Sequence, residues 1–190
     1  MNPFSSIWRS YLRWRHSKGF GVHSPFAYDF VINVVSPGPY AYYGYHDIDR
    51  LIRLPGYERY ARCRNNFRLI LRMIVNLKSR RLLLYPEINP IYHSVAHSAS
   101  VKADIFDPEN VGGYDSTDLL VISGEFPSAE TISRTLDRGT AIVGIDPGFH
   151  LRSALETPRP RGLLMTGNHI VIAIPRKEMA FTSYTMKFQR

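Results

Sequence analysis

Leu82-Leu83-Leu84-Tyr85-Pro86-Glu87-Ile88-Asn89-Pro90 begins with four consecutive apolar residues and ends between two prolines. An apolar run stopped by proline predicts a strand buried on both faces, the kind that lies inside a parallel sheet covered by helices. Two later runs repeat the pattern, Asp118-Leu119-Leu120-Val121-Ile122 and Thr140 to Ile145. Between them Ser128 has the chemistry of an N-cap, Glu130 stands where the helix dipole favours an acid, and Gly139 is a stop, so a helix to about Arg138 is expected. Ile91 to Ser100 and His150 to Glu156 read as further helices, Lys102 to Phe106 as a strand and Val111-Gly112-Gly113 as a turn. Gly162 to Met165, His169 to Ile174 and Ser183 to Phe188 read as closing strands. Strands alternating with helices predict an α/β fold with a mostly parallel sheet and an antiparallel tail.

Upstream of Arg81 the pattern is helical. Ile7, Trp8, Tyr11, Leu12 and Trp14 gather on one side of a helix over residues 5 to 16, flanked by Arg9, Arg13 and Arg15. Ser24 before Pro25 predicts a capped helix running to Val35, because the serine oxygen can accept a first-turn N–H and proline has no needed donor to lose there. Ser36-Pro37-Gly38-Pro39 stops it. Four tyrosines occupy the six positions 40 to 45, a short helix is expected over Asp47 to Leu54, and one long helix over Tyr57 to Leu77. The sequence thus divides into a helical arm, residues 1–80, and an α/β domain, residues 81–190.

Charge divides at the same place. Residues 1–80 hold 13 Lys and Arg against 4 Asp and Glu, whereas residues 81–190 hold 11 against 12. A basic arm suits an acidic partner, a nucleic acid or an anionic membrane surface. With 44% hydrophobic and 21% charged residues among 190, wholesale disorder is excluded. The single cysteine, Cys63, has no internal disulfide partner, so a reducing cytoplasm is expected. Arginines break up the apolar residues near Ile7 before a secretory h-region can form, and no run approaches the ~20 apolar residues of a membrane span.

In an open parallel sheet, ligands bind beyond the C-terminal ends of the strands. That selects Tyr85 to Pro90, Ser123-Gly124-Glu125-Phe126 and Asp146-Pro147-Gly148-Phe149-His150. A phosphate cradle at the first loop would need glycines whose N–H groups reach the ligand. Pro86 and Pro90 remove donors instead, and Glu87 repels anions. Asp146 and His150 read either as a metal or proton-transfer pair or as a plain turn. His93 and His97 have ligand spacing, but Ser94 stands where a zinc protease has its glutamate, and no metal is expected. Arg64, Arg68 and Arg72, four apart, read as an anion-binding stripe or as a solvated helix face. Trp8, Tyr11 and Trp14 are expected to pack onto the domain or a second subunit, with a membrane surface as the other reading.

The element Gly19-Phe20-Gly21-Val22-His23-Ser24-Pro25-Phe26, with Ala27-Tyr28-Asp29-Phe30 after it, resembles the opening of a bacterial subset of class I S-adenosylmethionine-dependent methyltransferases. Pro175-Arg176-Lys177-Glu178 with Tyr184 to Phe188 is similar to the same subset's closing hairpin. The resemblance implies a Rossmann-like methyltransferase fold, with His23 and Phe26 lining a pocket. It also implies that Leu84, Pro86 and Pro90 replace the acid and two glycines that hold the cofactor's amino-acid end. Tyr85, Glu87, Ser123 and Gly124 would be vestigial cofactor positions, and Asp104 or Asp107 the acid that meets the ribose. Too few residues separate that acid from Asp118 for the family's next βα unit, so a sheet trimmed at one edge is expected. The expectation is a methyltransferase-like protein that has lost the cofactor and acts as a non-catalytic binding or regulatory protein, with a protein, a small molecule or a second copy as partner. The alternatives are an active S-adenosylmethionine-dependent methyltransferase on a small molecule, using Asp146 and His150, and nucleic-acid binding through the arm.

Overall fold

A computed structural model describes residues 3–37, 42–85, 90–100, 102–106, 117–124, 127–156 and 161–188. The expected turn at 111–113, together with Glu87, Asp107, Glu125 and Phe126, lies outside the described residues. Seven strands form one mostly parallel sheet of Rossmann-like character: β1 (Arg81–Tyr85), β2 (Asp104–Phe106), β3 (Leu119–Ser123), β4 (Ala141–Ile145), β5 (Gly162–Thr166), β6 (Ile170–Pro175) and β7 (Thr182–Thr185). Their order is β2-β1-β3-β4-β6-β5-β7, with β6 antiparallel to both of its neighbours and every other pairing parallel.

The helices are α1 (Pro3–Ser17), α2 (Pro25–Phe30) continuing as a π turn over Val31–Val35, α3 (Tyr43–Leu51), α4 (Arg64–Leu77), α5 (Pro90–Ala99), α6 (Ala129–Asp137) and α7 (Phe149–Glu156). Strand residues alternate between two cores, as a period of two requires. Leu82, Leu84, Val121, Val143 and Ile172 face α2, α3, α4 and α5, whereas Leu83, Leu120, Ile122, Ile142 and Val171 face α6 and α7. The basic helical segment therefore shares one apolar core with the sheet.

The caps form as read: Ser24 accepts the Ala27 N–H at 3.3 Å with Pro25 in the first turn, and Ser128 accepts that of Thr131 at 3.2 Å. Three elements differ from expectation. The long helix over 57–77 is two pieces, a 3-10 turn at Glu58–Cys63 with no buried residue and then α4, because only the second piece has an apolar stripe to bury. The helix expected over 47–54 is α3, placed earlier, where Gly44 lets it approach its neighbours: a side chain at Gly44 would collide with Leu71 of α4 and come within 3.0 Å of the Ser98 carbonyl of α5. The antiparallel hairpin at the C-terminal end is β5–β6 rather than a pairing of β6 with β7. Both edges of β6 are already bonded, to β4 and to β5, so β7 adds in parallel to the free edge of β5.

Candidate functional site

The chain leaves β1, pairs β2 on one side of it and then crosses back to lay β3 on the other. The reversal makes the gap beyond Tyr85 and Ser123 the crevice where such sheets bind ligands. Tyr85 is half-buried and Ser123 exposed there, and Gly124 follows with φ +88 and no neighbour within 4 Å of where a side chain would begin. Asp146 ends β4 in a left-handed conformation, φ 47, its N–H donated to the His169 carbonyl at 2.7 Å, and His150 lies exposed in the first turn of α7.

A residue that sequence reading passed over covers this end of the sheet. Tyr92, from the first turn of α5, is hydrogen-bonded to the Ser123 side chain and has Cys63, Tyr60 and Asp146 as electrostatic neighbours. Its ring meets Phe67 edge-on at 5.3 Å, and Phe67 meets Tyr60 in the same manner at 6.4 Å. Burial pushes the Tyr92 hydroxyl up to about 12, against a smaller downward pull from the bond with Ser123, so it is a neutral phenol at ordinary pH. The helix after β1 thus sets an aromatic ring beside the end of β3.

The other expected site residues do not converge there. Asp104 is the first residue of β2, in register with Arg81 at the start of β1, so it stands at the opposite end of the strands from Tyr85. His23 and Phe26 lie at the far side of the sheet: the His23 N–H points to the Tyr184 hydroxyl at 3.4 Å, and the Arg176 guanidinium sits 4.1 Å from the centre of the Phe26 ring. His93 and His97 line a recess against β2, and burial first, then His97, holds His93 below the usual imidazole range. Among the described residues no group of three His, Cys, Asp or Glu side chains is placed to hold a metal ion.

The arginine stripe is engaged within the fold to different degrees, the Arg64 side chain remaining 43% exposed. Arg64 and Arg68 both donate to Asp49 of α3, Arg68 at 2.8 Å. Arg72 is buried, donating to the Val34 carbonyl and to the Tyr45 hydroxyl, each at 2.6 Å. Val34 is in the last turn of its helix, so Arg72 satisfies a carbonyl that has lost its helical partner. Burial alone would raise Asp49, yet the hydrogen bond from Arg64 and the charges of both arginines hold it below the usual carboxylate range. Arginine donors spent on Asp49, Val34 and Tyr45 are not offered to a ligand.

Two recesses of about 440 and 300 Å³ lie at the ends of β5 and β7 under α1, sharing Arg13 and Asn168 in their walls. Among the described residues their linings contain Arg9, Arg13, His16, Arg152 and Lys187 and no acid, so an anionic group is the ligand chemistry they would accept. Arg152 donates to the Gly167 and Asn168 carbonyls at 2.6 and 2.9 Å, which ties this wall to the β5–β6 turn. Comparison of the chain with family models, with curated proteins and with solved structures found no match.

Proposed function

We propose that the chain is a methyltransferase-like protein that no longer binds S-adenosylmethionine and works as a non-catalytic binding protein. The observation that carries this reading is Tyr92, half-buried against Phe67 and bonded to Ser123 at the end of β3. A cofactor seated at the switch point between β1 and β3 would have to displace that ring and break its hydrogen bond. Loop chemistry points the same way: Pro90, the first residue of α5, lacks the N–H that a helix N-terminus would present to a carboxylate.

A cofactor at 100 times its dissociation constant stabilises a fold by about 2.7 kcal/mol, equivalent to a melting shift of roughly 5 to 10 °C at this size. Millimolar S-adenosylmethionine or S-adenosylhomocysteine is expected to leave the melting temperature unchanged. A shift of that size with either compound would restore the enzymatic alternative.

A further inference from the structure

Helix α1 docks on the fold by its polar side. Ser17, 5% exposed, accepts the Lys187 N–H at 2.8 Å, His16 Nδ1 lies 3.2 Å from the Thr185 carbonyl, and Arg13 donates to the Asn168 side chain. The aromatic side faces outward, with Ile7 67%, Trp8 59%, Tyr11 45% and Trp14 47% exposed. At the angular step of an α-helix these four fall within an arc of about 120°. The Arg15 guanidinium lies among them on the same face, 5.8 Å from the centre of the Tyr11 ring, and Lys18 is exposed just beyond the helix. The first 28 residues contain Arg9, Arg13, Arg15 and Lys18 and no Asp or Glu.

We propose that this face of α1 docks onto an anionic lipid bilayer, lying in the plane of the interface with Trp8 and Trp14 at headgroup depth. Aromatic rings whose edges carry polar N–H and O–H groups suit the boundary between acyl chains and water, and the flanking cations suit lipid phosphates. Such docking needs no span, and no helix among the described residues is long and apolar enough to cross a membrane. A second copy of the chain is the poorer occupant, because pairing two such faces would bring Arg15 of each copy together with no acid of either helix to meet them. Single-stranded nucleic acid is poorer too. Tyr11 is packed between Trp8 at 5.7 Å and Trp14 at 6.1 Å, so the middle ring of the face has no free side on which a base could stack.

Both tryptophans of the chain lie on this face, so intrinsic tryptophan fluorescence reports on it alone. The full chain is mixed with vesicles of phosphatidylcholine, or of phosphatidylcholine with phosphatidylglycerol, some carrying brominated acyl chains. A blue shift and bromine quenching are expected with the anionic vesicles only, fading as salt is raised. Arg15→Ala, measured by vesicle flotation, is expected to weaken binding about fivefold while leaving the melting temperature unchanged. Absence of any response to anionic vesicles, or an equal response to neutral ones, would overturn the proposal. So would a blue shift that grows with protein concentration without lipid, which would assign the face to a second copy, or quenching by single-stranded RNA with no vesicle response.

Discussion

Helices α1 and α4 have similar compositions and opposite orientations. Each mixes large apolar residues with arginines, yet α4 buries Phe67, Leu69, Ile70, Leu71, Met73 and Ile74, whereas α1 leaves Ile7, Trp8, Tyr11 and Trp14 in the open. The arginines account for part of the difference. In α4, Asp49, the Val34 carbonyl and the Tyr45 hydroxyl lie within reach of the guanidinium groups, so the basic side finds partners while the apolar stripe enters the core. In α1 the available partners, Asn168 and the carbonyl and N–H groups near β7, lie beneath the helix and draw its polar side inward. Orientation follows where the hydrogen-bond partners are as well as where the apolar stripe is.

The comparison can be broken most severely from the α4 side. Phe67→Ala removes a ring only 1% exposed that also contacts Tyr60 and Tyr92, and should cost about 3–5 kcal/mol in a denaturant melt. Asp49→Asn removes the charge shared by Arg64 and Arg68, with an expected loss of about 2 kcal/mol at neutral pH. That loss depends on pH. Because the folded carboxyl is held below its ordinary value of 3.8, its contribution is present above that value and disappears as pH falls through the lower folded value. Stabilities of the wild-type protein and of the Asp49→Asn variant, measured across the acid range, should therefore converge at low pH.

On the α1 side the effects shrink. Ser17→Ala leaves the Lys187 N–H without its acceptor and should cost about 1–2 kcal/mol, with hydrogen exchange rising across α1 and much less across α4. Trp8→Ser with Trp14→Ser should change stability by no more than about 0.5 kcal/mol, since neither ring is in the core. A loss as large as that of Phe67→Ala would mean that α1 packs by its aromatic side.

The central strands were legible because four-residue and five-residue apolar runs are a local signal, and so were the Ser24 and Ser128 caps. The pairing of Arg64 and Arg68 with Asp49 was not, since it joins residues 15 and 19 positions apart on different helices. Tyr92 was missed because nothing local separates a tyrosine at the start of a helix from one that reaches the end of a distant strand. The place of β7 was hidden for a related reason: only the sheet as a whole reveals that β6 has no free edge. The outward turn of α1 was hidden because an amphipathic pattern specifies two sides and does not say which one meets the fold.

Acrylamide quenching of tryptophan fluorescence in dilute, lipid-free solution tests the outward orientation of α1 most directly, because Trp8 and Trp14 are the only tryptophans in the chain. The structure predicts red-shifted emission and efficient quenching of both indoles, in keeping with exposures of 59% and 47%. Blue-shifted emission shielded from acrylamide would contradict it and place the aromatic side of α1 against the protein.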